Sequence, residues 1–405
     1  METAFDLLRM PDDPAFAARL DDWFAGVRRD LPWRDGDDLY GIWISEIMLQ
    51  QTTVQAVVPY WIRFMERFPS VAALAAAPES DVLAAWAGLG YYSRARNLHA
   101  AARCIVGERR GVWPANRDEW SALPGVGPYA SGAIASLGLG ERVPALDANA
   151  RRVLARWAVT DPDAWAACGE AERRRAVDDL GTALVPAAAP GPWNEALMEL
   201  GALVCRARDA RCRECPVAGS CRAGRGGWAD RVPPPRPPRR PEEVGLALLV
   251  VRWRDRVFLE PPSAGAWPSS APGRRSVRDD FSGLHRGLWG LPTTAWWSGP
   301  DVPAVPWGSV ADRLDLPDAM GPAGGGWETL GTVRHGITRY RLQATVLGCE
   351  LPARAELPAR LRGDSSRWRA SRPGAPGCFA APADGLPPLS RLAEKALHFQ
   401  QHSDV

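Results

Sequence analysis

No regular element can run through "RVPPPRPPRRPEE", residues 231–243. Each proline fixes its own φ and offers no N–H, so neither a helix nor a central strand crosses this stretch. The 405-residue chain is therefore expected to build two units joined by a stiff, extended linker. The hydrophobic period changes across it. Before it, runs such as "VAALAAAPESDVLAAWAGLG" (71–90) and "ARNLHAAARCIVGERRG" (95–111) read as helices closed by Gly and Pro. After it, "VGLALLVVRWRDRVFLE" (244–260) and "WETLGTVRHGITRYRLQATVLGCE" (327–350) each read as two strands, and "LSRLAEKALHFQQH" (389–402) as a closing helix. The expected plan is a helical domain over 1–228, a linker over 229–243 and a smaller α+β domain over 244–405. Residues 261–283 and 351–387, rich in Pro, Gly, Ser and Ala, are expected to be loops.

Composition excludes little. A net charge of +2 does not by itself point to nucleic acid. No apolar run approaches the ~18 residues of a membrane span, and the N-terminus has no signal pattern, so a cytoplasmic protein is expected. Of 49 basic residues only Lys395 is a lysine.

Three motifs carry chemistry. Cys205, Cys212, Cys215 and Cys221 follow the spacing C-x6-C-x2-C-x5-C, four thiols able to surround one metal centre. Zinc sites usually supply two short pairs across a longer loop; a single close pair flanked by lone cysteines favours an iron–sulfur cluster, with zinc the alternative. Arg206, Arg208, Arg211 and Arg213 lie among these ligands and suit a phosphate-binding loop. In "LPGVGPYASGAIAS" (123–136), Gly125, Val126 and Gly127 form a tight turn and Pro128 opens a helix, a helix-hairpin-helix spanning about 118–136 whose backbone amides can hold a DNA phosphate. Read blandly, it is a plain turn. In "VPALDANARRVLARW" (143–157), Asp147 precedes an amphipathic helix, as a plain N-cap or as a functional carboxylate. Finally, "YGIWISEIMLQQTTVQAVVPYW" (40–61) reads as an apolar helix with Glu46 set into the face of Ile42, Trp43 and Leu49. A carboxylate there is either salt-bridged or pushed to a raised pKa.

Taken together with "LPWR" (31–34), "GLGYYSRARNLH" (88–99) and "NEALMELGALVC" (194–205), these motifs resemble the helix-hairpin-helix, iron–sulfur DNA glycosylases, and within them the MutY-type adenine glycosylases. The resemblance covers nearly all of residues 20–225. It implies a monofunctional enzyme of base excision repair that removes adenine mispaired with 8-oxoguanine or guanine in double-stranded DNA. Such an enzyme would be monomeric, nucleoid-associated and bacterial, and would carry a [4Fe-4S] cluster on the loop 205–221. It makes Glu46 the catalytic acid and Asp147 the second carboxylate, with Tyr129 and Asn149 orienting them. Trp33, Arg34 and Glu195 would line the pocket of the flipped adenine, and Gln51 and Tyr91 would enter the duplex. A bifunctional endonuclease III-type enzyme would need a lysine where Tyr129 stands and has glutamine in place of Glu46. A non-catalytic damage sensor is the remaining alternative.

The C-terminal part, through "GLALLVVRWRDRVFLEPP" and "HRGLWGLPT" (285–293), resembles the degenerate Nudix-like domain of the same enzymes, which reads the opposite base. The full Nudix signature is missing. Where that family carries Phe-Ser-His, this chain has Ile337, Thr338 and Arg339, which leaves Thr338 and Arg339 as the expected lesion readers. Ala148 also replaces a family glycine beside Asp147.

Overall fold

The computed structural model describes residues 2–34, 38–235, 241–259, 291–292, 305, 310–311, 327–337, 340–352, 378–380, 389 and 391–398. Its contacts divide the chain into one unit of Met1–Ala76 with Asn97–Pro237, and a second of Ala77–Arg96 with Pro238–Val405. The helices run α1 (Ala4–Leu7), α2 (Phe16–Val27), α3 (Leu39–Leu49), α4 (Val54–Arg67), α5 (Val71–Ala76), α6 (Glu79–Trp86) and α7 (Tyr92–Arg103). They continue as α8 (Arg117–Ser121), α9 (Pro128–Leu139), α10 (Ala148–Ala158), α11 (Pro162–Ala167), α12 (Glu170–Leu184), α13 (Pro190–Leu203) and α14 (Arg222–Gly226). No helix among the described residues is long and apolar enough to cross a membrane.

In the first unit, α3 has residues 40–48 buried without a break. An ordinary surface helix buries one stripe; a helix apolar all round must sit inside. Asp38 caps it, its carboxylate accepting from the Tyr40 N–H at 3.1 Å. The single helix expected over 40–61 is in fact two. The break falls at residues 50–53, where Gln51 takes φ +59° and Thr53, extended, opens α4. A left-handed residue cannot continue a right-handed helix.

The hairpin forms as its spacing predicts. Asn116 caps α8, accepting from the Glu119 N–H at 2.9 Å. Gly127 is the N-cap of α9, and Pro128 stands in its first turn. Gly125 has φ +76°, and a Cβ there would lie 2.5 Å from Cβ of Asn97, so both backbone and packing demand glycine. Helix α9 buries residues 130–136 in succession and packs on α3.

Helices α10 and α13 complete the wall opposite α3. They approach so closely at Gly201 that an added Cβ would meet Cβ of Asn149 at 2.7 Å. Around them, Trp157, Trp165 and Trp193 are buried, with the Phe16 ring 4.2 Å from that of Trp157.

In the second unit, β1 (Glu242–Trp253) begins inside the segment read as linker. With β2 (Arg256–Leu259), β3 (Glu328–Ile337), β4 (Tyr340–Glu350) and β5 (Cys378–Ala380) it forms one sheet in the order β3-β4-β1-β2-β5. The central pair β1–β4 is parallel over the whole span Glu242↔Tyr340 to Arg252↔Glu350, and the other pairs are antiparallel. Buried residues of β1 form a continuous run from Leu246 to Val251, the pattern of a strand covered on both faces. The helix α15 (Arg391–His398) packs on β3 and β1. Strand β5 falls in a stretch expected to be loop; three residues are too few for a period to register, and pairing with β2 alone orders them. The expected loop 261–283 and the lesion readers Thr338 and Arg339 lie outside the described residues.

Gly201→Val is expected to lower stability by about 1–3 kcal/mol, because overpacking at a fixed helix–helix contact forces the backbones apart. Thermal unfolding of the purified variant against wild type checks this, and an unchanged midpoint would contradict the contact.

Candidate active site

The first unit holds a cavity of about 890 Å³ that brings together Trp33, Arg34, Glu46, Gln51, Gly125, Gly127, Tyr129, Asp147, Asn149 and Glu195. These ten residues come from five separate sequence motifs. Val126, between the two glycines, is buried under the turn and does not line the cavity. Tyr91 belongs to the second unit. The cavity also takes in residues that motif reading passed over, among them Arg28, Arg29, Met198 and Glu199.

Glu46 is buried, and its Oε2 has no hydrogen-bond partner. Burial pushes its carboxyl up to about 7; a Tyr129 hydrogen bond and the Arg34 charge oppose this, while Glu195 and Asp147 reinforce it. Burial, and not a pairing with Arg34, is the largest influence on this carboxyl. Tyr129 projects from the first turn of α9, its hydroxyl 3.1 Å from Met198 Sδ. Burial and then the Glu46 charge drive its own ionisation far above the usual phenol range. Tyr129 is thus a permanent O–H donor.

Asp147 is handled differently. It is the N-cap of α10, its Oδ1 accepting from the Ala150 N–H at 2.7 Å, while Oδ2 accepts from Asn149 Nδ2 at 2.9 Å. Burial raises its pKa, opposed by these amides and by the Arg152 charge. Asp147 thus caps the helix and also lines the cavity. Asn149 in turn accepts from Arg152 Nη2 at 3.0 Å, and Arg152 donates to the carbonyls of Gly201 (2.8 Å) and Cys205 (2.9 Å). A continuous hydrogen-bonded chain thus joins Asp147 to the first cysteine of the loop.

On the opposite wall, Arg34 Nε donates to Glu195 Oε1 at 2.6 Å, and its guanidinium lies over the Phe24 ring. Trp33 is held against Trp61, ring centroids 5.9 Å apart. Gln51 and Tyr91 are both exposed, and both are non-glycine residues at positive φ, +59° and +50°. Such strain costs on the order of 1–3 kcal/mol and persists where function or packing compels it.

The four loop cysteines line one small cavity with Arg156, Val204 and Gly224. Arg156 Nη1 lies 3.4 Å from Cys205 Sγ, and the Gly224 N–H donates to Cys221 Sγ at 3.4 Å. A Cβ on Gly224 would project to 3.6 Å from Cys221 Sγ and 3.9 Å from Cys212 Sγ. Burial, then the neighbouring thiols, push Cys215 up to about 12. Among the described residues, no three His, Cys, Asp or Glu side chains converge tightly enough to hold a single ion.

With the geometry in hand, residues 44–176 match the family model of the HhH-GPD superfamily base excision DNA repair proteins. That match runs from α3 to α12. The chain is 35% identical over 321 residues to an adenine DNA glycosylase of Homo sapiens, covering 70% of this chain and 58% of that one. It is 42% identical over 198 residues to an adenine DNA glycosylase of Mycolicibacterium smegmatis, covering 48% of this chain and 65% of that one. With the Mus musculus relative, 39% identical and covered over 42% of its length, the chain spans about half the length of the curated relatives it matches. A solved thermostable thymine-DNA glycosylase aligns at 28% identity and a TM-score of 0.47, over 52% of this chain and 96% of that one. The carboxyl on α3 is Glu46, and its titration has a measurable consequence.

A folded-state pKa raised above the unfolded value favours the native state at low pH and penalises it once pH exceeds both values. Moving Glu46 from 4.5 to about 7 makes that penalty on the order of 3 kcal/mol above neutrality. Glu46→Gln removes the ionisable group, so the variant should gain in thermal midpoint over wild type at pH 8 and show little gain at pH 4.5. Melting curves at the two pH values test it; equal differences would refute the buried-acid assignment.

Proposed function

We propose that this chain is a monofunctional adenine DNA glycosylase, removing adenine mispaired with 8-oxoguanine or guanine from double-stranded DNA. The observation that carries the reading is the pair of unlike carboxyls on one cavity: Glu46, desolvated and held neutral, and Asp147, supported by three donors of its own neighbourhood. Hydrolysis of an N-glycosidic bond needs both. A base leaves readily once protonated, which a neutral Glu46 can do at physiological pH. The sugar left behind is cationic, and a carboxylate at Asp147 stabilises or captures it. Tyr129 orients the acid, and Asn149 holds Asp147. Arg34, Trp33 and Glu195 supply the planar, polar edge-reading wall that a flipped base requires. The glycine turn at Gly125 and Gly127 anchors a DNA phosphate on the amides that open α9. The strained, exposed Gln51 and Tyr91 enter the duplex to fill the space the base vacates. Among the cavity residues there is no lysine, and the chain's single lysine, Lys395, sits on the carbonyl of Arg334 in the second unit, which disfavours Schiff-base chemistry.

The four cysteines fit a [4Fe-4S] cluster: all line one cavity, N–H donors address the sulfurs, and Gly224 leaves room beside two of them. When bound, the cluster supplies structural cross-linking of the loop, which the Arg152 and Arg156 guanidinium groups tie to α10. The second unit is assigned to the opposite base as a degenerate Nudix-like domain, with Thr338 and Arg339 as its readers.

Duplexes carrying one A·8-oxoguanine, A·G or A·T pair test the function. Alkali-dependent breaks are expected at the adenine of the first two, and Glu46→Gln is expected to slow excision by about 10²–10⁴-fold. A wild-type protein that binds these duplexes and leaves adenine in place would overturn the reading. For the loop, Cys212→Ser is expected to lose iron, visible absorbance and thermal stability together; an iron-free wild type, or one with zinc, would refute the cluster.

A further inference from the structure

Arg29 lies outside the motifs and Glu199 was given no role within "NEALMELGALVC", yet both are built into the cavity wall. Glu199 is almost wholly buried, with a side chain 3% exposed, and both of its oxygens are used: Oε1 lies 2.5 Å from Arg29 Nε and Oε2 2.7 Å from Arg29 Nη2. The same Oε2 lies 3.7 Å from Arg34 Nη2. Arg34 is fixed from its other side by Glu195, and its Nη1 donates to the Arg29 carbonyl at 3.1 Å. Glu195 and Glu199 stand four residues apart on α13 and so share one face. The result is a row of alternating charge, Arg29–Glu199–Arg34–Glu195, with two positive and two negative groups.

We infer that Glu199 is a positioning residue, which clamps Arg34 between two carboxylates and keeps the wall of the base pocket electrically neutral. Burying a carboxylate without its partner is costly, so Glu199 is held only because Arg29 meets it side-on with two donors. Arg29, at 37% exposure, is open to solvent, whereas Arg34, at 10%, is enclosed by its two acids and the Arg29 carbonyl. The consequence reaches the acid across the cavity. Glu46 is faced by Tyr129 from α9, Asp147 from the cap of α10, Glu195 from α13 and Arg34 from the segment before α3. Of these, Arg34 is the positive one, and Glu199 is what tempers it from behind. Removing the negative charge at 199 strengthens the Arg34 field at Glu46; removing the positive charge at 29 weakens it. This inference rests on the adenine glycosylase reading for its rate readout only.

The test is a pair of variants of opposite sign. Single-turnover adenine excision from an A·8-oxoguanine duplex is measured across pH for wild type, Glu199→Gln, Arg29→Gln and the double variant. In parallel, protein labelled with carboxyl-¹³C glutamate is titrated by NMR, the Glu46 signal being assigned from its loss in Glu46→Gln. For Glu199→Gln the Glu46 midpoint and the alkaline limb of the rate profile are expected to move down by about one pH unit. For Arg29→Gln both are expected to move up, and the double variant returns towards wild type. Midpoints that stay with wild type in both single variants, or that move in the same direction, overturn the inference. A wild type that excises no adenine while the two titration midpoints still separate in opposite directions refutes the proposed function and leaves the role of Glu199 supported.

Discussion

The burial of α3 on every side is the constraint from which the site follows. A helix with nine consecutive buried positions has no polar face on which to put an acid, so Glu46 is desolvated wherever it points. Its orphaned Oε2 marks the cost. Desolvation pushes its carboxyl up to about 7, so that it can carry a proton near neutral pH. The neighbouring helix α9 is buried just as thoroughly, which brings Tyr129, a phenol that does not ionise, to the cavity from the first turn after the hairpin. The glycine turn and the phenol that meets Glu46 thus belong to one helix start.

Helix α10 solves the opposite problem. Asp147 also suffers from burial, but it stands at a helix start, where unsatisfied amides and the helix dipole favour a negative charge. Asn149 and Arg152 extend that support down one face to the carbonyls of Gly201 and Cys205. One turn further, Arg156 grips the loop through Val232, Arg206 and Ala207 carbonyls. The backbone contact at Gly201 sets how close α10 and α13 lie, and so sets the length of this chain. Placement of the second carboxyl and order in the cysteine loop are two ends of one hydrogen-bonded structure.

Much of this was legible in the sequence because local signals and the final packing agree. The strand pairs at 244–260 and 327–350, the hairpin glycines and the closing helix all follow from period and turn chemistry. What escaped did so for physical reasons. The break at residues 50–53 contains neither Gly nor Pro; it depends on Gln51 adopting a left-handed φ that only tertiary structure imposes. Strand β5 is ordered by its partner and not by its own period. Arg29 and Glu199 are 170 residues apart and resemble ordinary surface charges until the fold buries Glu199 against Arg29, so no window of sequence can pair them. Asp147 was ambiguous because an aspartate at a helix start reads as a plain cap, and only the fold shows that it also lines the cavity.

The near-absence of lysine acquires meaning at this level. Buried lysines shift their pKa and can discharge; a guanidinium keeps its charge and presents several donors in a plane. Arg29, Arg34, Arg152 and Arg156 are therefore fixed positive charges, each satisfied by a carboxylate or by backbone carbonyls in a way one ammonium could not copy. With the positive groups locked, the two carboxyls differ in how far local donors oppose the burial that raises both. Glu46 lacks one for Oε2, whereas Asp147 has them on both oxygens. Exchanging the two residues would therefore not exchange their roles symmetrically: an aspartate at 46 would be shorter in the same dry wall, and a glutamate at 147 would overreach the Ala150 amide and lose the cap. The asymmetry of the pair is a property of where the helices begin and how deeply they are buried.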